Sequence, residues 1–353
     1  MEQFFTTAPT IVTLIFFIVG LVLIIKGGDW FVDSASWIAE VLGVPKFVIG
    51  ATIVSIATTL PEMIVSIAAT AKGNVEMAAG NAIGSVTANT AMIMGITLLC
   101  MPFAIKRKEF APKGILMFLA SLGLVLGCIF TEKKEATYAG ETQLFYRLAP
   151  YGIIILFIIF IIFFIENFIS MKNSDIQIEP SPENIGLQEE DDIVPTKNTV
   201  TGKDWAKSIT FFVLGAAGIV LGAQLLVNAG TALAKDIGIS QRIISVIAVA
   251  IGTSLPELVT AITALRKKEG ALTAGNILGA NIIDLSLILP ICAFVSHGNL
   301  AVSVSSVTID MIVCLAAVSV AVFPTIIFKK FQRWQGGLML AGYIGYVIFT
   351  FVG

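Results

Sequence analysis

Thr58-Thr59-Leu60-Pro61-Glu62 recurs as Thr253-Ser254-Leu255-Pro256-Glu257, and Gly80-Asn81-Ala82-Ile83-Gly84 recurs as Gly275-Asn276-Ile277-Leu278-Gly279. One offset of 195 residues relates both pairs, and the register runs without a gap from Gly27/Gly222 through Gly43/Gly238 to Asn89/Asp284. Chance similarity between apolar helices yields shared Leu and Ile, not shared Pro-Glu and Gly-Asn. Each copy sets a glutamate just after a proline, deep in an apolar run. A carboxylate in hydrocarbon costs from about 3 to above about 10 kcal/mol. Two such acids in matching halves predict a cation site at the centre of a membrane protein.

Composition agrees. The chain is 56% apolar and 13% charged, against roughly 25% charged for a soluble domain. Its apolar runs approach the ~20 residues that cross a bilayer. The pattern predicts an all-α polytopic membrane protein with about ten spans. These are Thr10 to Gly27-Gly28, Phe47–Ala71, Met77–Phe103, Gly114–Phe130, Ala149–Ile169, Ile209–Ala234, Ile243–Leu265, Leu272–Phe294, Val302–Ile327 and Gly336–Phe351. The first lacks a basic flank and a cleavage site, so it reads as a span and not a signal peptide. Cys100, Cys128, Cys292 and Cys314 fall inside apolar runs at no disulfide or metal spacing and read as small packing residues.

Basic residues set the orientation. Lys106, Arg107, Lys108 and Lys113 follow span three, Arg266, Lys267 and Lys268 follow span seven, and Lys329, Lys330 and Arg333 follow span nine. With ten spans these loops share one face, expected to be cytoplasmic, with both termini outside. A polar 171–205 loop, carrying Glu189-Glu190-Asp191-Asp192, separates residues 1–170 from residues 206–353. Five spans lie on each side of it, and an odd number per half makes the repeats inverted.

The chemistry follows from the repeated residues. Pro61 deprives the Ala57 carbonyl of its helical donor, and Pro256 does the same to Gly252. Hydroxyls of Thr58, Thr59, Thr253 and Ser254 lie at the same level, with the Glu62 and Glu257 carboxylates just beyond. Carboxylate, carbonyl and hydroxyl oxygens form a hard shell suited to Ca²⁺ or Na⁺ and not to a soft metal. Gly80/Gly84 and Gly275/Gly279 allow close helix approach. Ser85 and Asn89 share a helix face, and Ala280 and Asp284 stand at the equivalent positions. Asp310, inside span nine, reads equally as a structural hydrogen-bonder or an accessory ion site. His297, beside Gly298 and Asn299, reads as a solvated loop residue.

These motifs resemble the two alpha-repeats of the calcium/cation antiporter superfamily, and in particular the prokaryotic sodium/calcium exchangers. The first alpha-repeat would span about 50–95 and the second about 245–290. The resemblance implies that Glu62 and Glu257 hold Ca²⁺, aided by Thr58 and Thr253. It implies that Na⁺ uses the same glutamates with Thr59, Ser254, Ser85, Asn89 and Asp284. It further implies a gating bundle of the first and sixth spans sliding on a fixed core, in a prokaryotic plasma (inner) membrane. Ala280 departs from the family, which often carries a serine there, and Val86 stands where an Asn commonly follows the serine.

The expected activity is secondary antiport of Ca²⁺ for Na⁺, with the bilayer as the surrounding partner, no cofactor, no nucleic acid and no enzymatic reaction. Ca²⁺/H⁺ exchange and K⁺-dependent exchange are the alternatives within transport. A passive cation channel is the alternative outside it, with the acids as a selectivity ring. An intramembrane protease fits poorly, because Asp284 has Asn89 as its repeat mate and His297 lies outside the spans.

Overall fold

The computed structural model describes residues 9–73, 75–131, 133–138, 141–174, 200–236, 254–298, 300–304 and 306–352. Ten helices account for nearly all of them. They are α1 (Thr10–Leu42), α2 (Lys46–Ala71), α3 (Val75–Cys100), α4 (Arg107–Ile129), α5 (Pro150–Ser174), α6 (Gly202–Asp236), α7 (Leu255–Arg266), α8 (Gly270–Val295), α9 (Ser306–Phe328) and α10 (Arg333–Val352). Eight helices among the described residues are long and apolar enough to cross a membrane. The tenth, α10, has 20 residues. Residues 237–253, which hold the first part of expected span seven together with Gly238, Gly252 and Thr253, lie outside the described residues, as does Glu189–Asp192.

Hydrophobic residues cover the outside as well as the inside. Ile11, Ile15, Ile18 and Val22 of α1 and Ile154, Ile158, Ile161 and Ile165 of α5 are all exposed, as lipid-facing residues must be. The protein is an integral membrane protein. The core lies under α2, α3 and α8, whose polar residues are turned inward.

Helix α1 runs past Gly27-Gly28, where the sequence suggested its end. It stops only at Gly43, in the left-handed region at φ 66°. There the Gly43 and Val44 N–H groups bond the carbonyls of Glu40 and Ala39. This pair of bonds and a left-handed glycine form a common helix stop. Gly27 and Gly28 serve packing instead. A Cβ on Gly27 would sit 2.8 Å from the Gly215 carbonyl oxygen, and one on Gly20 3.0 Å from that of Gly222. Gly20 and Gly215 are repeat mates, as are Gly27 and Gly222. Each glycine therefore touches the mate of the other, the reciprocal contact that a twofold relation between inverted halves produces.

The same close approach joins α2 to α8. A Cβ on Gly279 would meet Ser55 Oγ at 2.5 Å and the Ala51 carbonyl oxygen at 2.7 Å, and Gly275 abuts the Phe47 carbonyl. The mates of those partners, expected to face Gly80 and Gly84, lie within 237–253, outside the described residues.

Short strands tie the loops in pairs. The hairpin of β1 (Lys133–Tyr138) and β2 (Glu141–Arg147) follows α4, and β2 pairs with β3 (Ala301–Ser303) after α8. At the other end Ala104 bridges Lys330, with Ile105 N–H donating to the Lys329 carbonyl at 3.1 Å and Phe331 N–H to that of Phe103 at 2.9 Å. The loops after α3 and α9 thus share one face, as the charge pattern requires.

Lys113 is a correction. The sequence places it in the charged loop after span three, but it lies in α4, fully buried, 2.5 Å from Glu166 of α5 and 5.8 Å from the Phe47 ring centroid. An apolar site tolerates that ammonium because a carboxylate and an aromatic face accompany it. Cys100 is exposed, whereas the other three cysteines are buried.

Candidate cation site

Four helices bring the expected acids and their companions together. Pro61 lies inside α2, which continues through it without ending. Pro256 occupies the first turn of α7, where its missing N–H costs nothing. Asn89 and Asp284, repeat mates, each lie in a π-helical stretch, Ala88–Met94 in α3 and Asp284–Ile288 in α8. A π turn adds a residue to the helix turn, swings side chains off the regular face and recurs at functional sites. Neither stretch announces itself in the sequence.

Glu62, Glu257 and Asp284 are each 1% exposed. Among the described residues, both oxygens of all three carboxylates lack a hydrogen-bond partner. Ser85 Oγ, Asn89 Oδ1 and Ser254 Oγ are buried and have no hydrogen-bond partner among the described residues either. Glu62 is close enough to Glu257 and Asp284 for their charges to repel one another. Nine buried oxygens without a donor among the described residues, six of them on carboxylates, are an arrangement that native interiors otherwise avoid. The arrangement suits a cation or protons brought from outside.

The hydroxyls at the edge are partly committed. Thr59 Oγ1 donates to the Ser55 carbonyl at 2.6 Å. Thr58 Oγ1 donates to Asn276 Oδ1 at 3.1 Å and lies 3.4 Å from the Ser55 carbonyl, while the side chain stands beside the Glu257 carboxylate. Each oxygen keeps lone pairs for a cation. Thr253 lies outside the described residues. Among the described residues no three acidic, cysteine or histidine side chains form a ready metal cluster. A full shell would draw on hydroxyl, amide and carbonyl oxygens, the hard-cation pattern.

The sequence marks Asn81 as part of the repeat but assigns no bracing role to it or to Asn281. Asn81 Nδ2 donates to Ser66 Oγ at 3.0 Å, tying α3 to α2. Asn281 Oδ1 accepts from Asn89 Nδ2 at 3.2 Å, and Asn281 Nδ2 donates to Thr90 Oγ1 at 2.8 Å and contacts Met117 Sδ at 3.5 Å. The available signal was an asparagine in an otherwise apolar turn of α8. Asp310 accepts from the Tyr346 hydroxyl at 2.9 Å, which supports its structural reading. His297 is exposed in a turn at φ 53°.

Comparison with known proteins agrees with the geometry. The family model for the sodium/calcium exchanger protein matches residues 12–166 and 207–352. Sodium/calcium exchanger MaX1 of Methanosarcina acetivorans is 29% identical over 96% of this chain and 99% of its own length. Inner membrane protein YrbG of Escherichia coli is 32% identical over 80% of each chain. A solved structure of the sodium-calcium exchanger NCX_Mj superimposes with a TM-score of 0.76 at 26% identity, covering 96% of this chain and 99% of that one.

Proposed function

The chain belongs to the sodium/calcium exchanger protein family, and from that membership we propose that it exchanges Ca²⁺ for Na⁺ by alternating access at the Glu62–Glu257–Asp284 site. The observation that carries this reading is the set of six carboxylate oxygens, buried and without a donor among the described residues, where the inverted halves meet. Glu62 and Glu257 together balance one Ca²⁺. Ionised Asp284 raises the count to three charges, which suits three Na⁺. Ca²⁺ and Na⁺ then compete for the same oxygens, and competition is what couples their movements.

Thr58, with Thr253, supplies oxygens for Ca²⁺. Thr59, Ser254, Ser85 and Asn89 supply them for Na⁺. A neutralised site crosses a closed intermediate more easily than an empty, charged one, because isolated charge is costly inside the membrane. The moving part is α1 with α6, which meet at the Gly20, Gly27, Gly215 and Gly222 backbones. The two five-helix units are residues 1–170 and 206–353. The face carrying Lys106, Lys267 and Lys330 is cytoplasmic, with both termini outside, in a prokaryotic plasma membrane.

A second reading uses protons in place of Na⁺, since unpartnered carboxylates also accept protons. Radiolabelled Ca²⁺ uptake into proteoliposomes under imposed Na⁺, K⁺ or pH gradients separates the cases. Uptake driven by an outward Na⁺ gradient is expected. Uptake that follows only the pH gradient would replace the Na⁺ reading.

A further inference from the structure

We propose that Asn281 is a positioning residue that turns the Asn89 side chain so that its oxygen, and not its NH₂ group, is presented to the transported Na⁺. The role rests on the Na⁺ reading above and deepens it. An asparagine amide has two ends of nearly equal size and opposite character. Only the oxygen end ligates a cation. An unanchored Asn89 would present its NH₂ part of the time and repel the ion.

Three contacts fix the orientation. Asn89 Nδ2 is held by Asn281 Oδ1 at 3.2 Å, leaving Asn89 Oδ1 buried and unpartnered. By hydrogen-bond count alone, both amides could be flipped together. Asn281 Nδ2 would then donate to Asn89, and the Thr90 hydroxyl would donate to Asn281 Oδ1. Met117 removes that degeneracy. Its thioether sulfur lies 3.5 Å from Asn281 Nδ2, and a thioether accepts but never donates. The flipped amide would set Oδ1 against the sulfur lone pairs and lose that contact. Orientation therefore passes from Met117 on α4 through Asn281 on α8 to Asn89 on α3.

The repeat asymmetry follows. Asn281 is the mate of Val86, just as Asn89 is the mate of Asp284. A carboxylate has oxygen at both ends and needs no orienting amide. The half with Asp284 at the site carries Asn281, which serves Asn89 across the interface. The half with Asn89 can carry an apolar valine, because Asp284 asks nothing of it.

The test is cation binding to purified protein by titration calorimetry, with Na⁺ alone and Ca²⁺ alone, beside gradient-driven uptake. Asn281→Leu keeps the number and branching of the side-chain heavy atoms, removes the amide, and should weaken Na⁺ binding about tenfold while leaving Ca²⁺ within about twofold. In an Asn89→Asp background, where both ends are oxygen, Asn281→Leu should cost no further Na⁺ affinity. Equal losses for the two ions, or the same loss in the Asn89→Asp background, would show a merely structural residue and overturn the proposal. Should Asn281→Leu not fold, Met117→Leu carries the test, with Na⁺ binding about threefold weaker and Ca²⁺ unchanged. Unchanged Na⁺ binding in folded Met117→Leu overturns it. Wild-type protein that binds Ca²⁺ but no Na⁺ overturns the Na⁺ reading itself.

Discussion

Replacing Glu257 with Gln keeps the shape of the side chain and removes one of the charges proposed to balance Ca²⁺. Ca²⁺ uptake by Glu257→Gln proteoliposomes should fall to the protein-free background, and wild-type uptake would refute the site. Gln335 offers a residue-scale test of stability alone. Pro324 leaves the Val320 carbonyl, four residues back in α9, without its helical donor. Gln335 of α10, fully buried, supplies one from Nε2 at 2.9 Å and also bonds Thr325 Oγ1 at 2.9 Å. Gln335→Leu should lower thermal stability by about 1–3 kcal/mol, read as a lower Tm in detergent. These residues differ in how far the sequence reveals them. Glu62 and Glu257 are legible alone, because an acid in an apolar run needs a reason. Gln335 and Asn281 are not, because each is explained by a partner on another helix.

Glycine spacing makes the elements partly legible. The Gly275/Gly279 spacing correctly marks a close approach, here to Phe47, Ala51 and Ser55. Gly27-Gly28 misleads as a helix end, because a glycine in a helix costs only about 1 kcal/mol and packing repays it. The π-helical stretches under Asn89 and Asp284 have no sequence signature, since they arise from how α3 and α8 pack. The β1–β2–β3 sheet was hidden for a similar reason: β3 has three residues and exists only by pairing. Gly27→Val would drive a side chain into the Gly215 carbonyl, at 2.8 Å from an ideal Cβ. It should cost about 1–3 kcal/mol and separate α1 from α6. Gly345→Ala, with nothing within 4 Å among the described residues, should leave Tm and uptake unchanged. A Tm loss for Gly27→Val no larger than that of Gly345→Ala would refute the seam.

Across the whole molecule, the inverted arrangement was readable from parity and register, but the bonds that hold it were not. Two ion-pair groups pin α1 at the basic face. Lys267, after α7, lies 2.5 Å from Asp33 and 3.8 Å from Asp29, and Lys46 lies 3.0 Å from Glu40 and 2.5 Å from Glu269. All are partly exposed, so each is worth about 0–1 kcal/mol and is screened by salt. Lys267→Ala should speed amide hydrogen exchange at the C-terminal end of α1 while leaving 103–105 and 329–331 protected. Equal acceleration of both regions would contradict separate attachment. The pairings Ala104–Lys330 and β2–β3 sit at opposite ends of the helices and are made of backbone. They act as two rivets, one at each membrane surface, that fasten the two halves of the core into a single chassis indifferent to ionic strength or side-chain identity. Helix α1 is held to that chassis at the basic face by these ion pairs and by a buried apolar cluster in which its Phe31, Val32 and Ile38 join Val48, Val259 and Leu272, so a change of salt loosens one part of its attachment and leaves the rivets untouched.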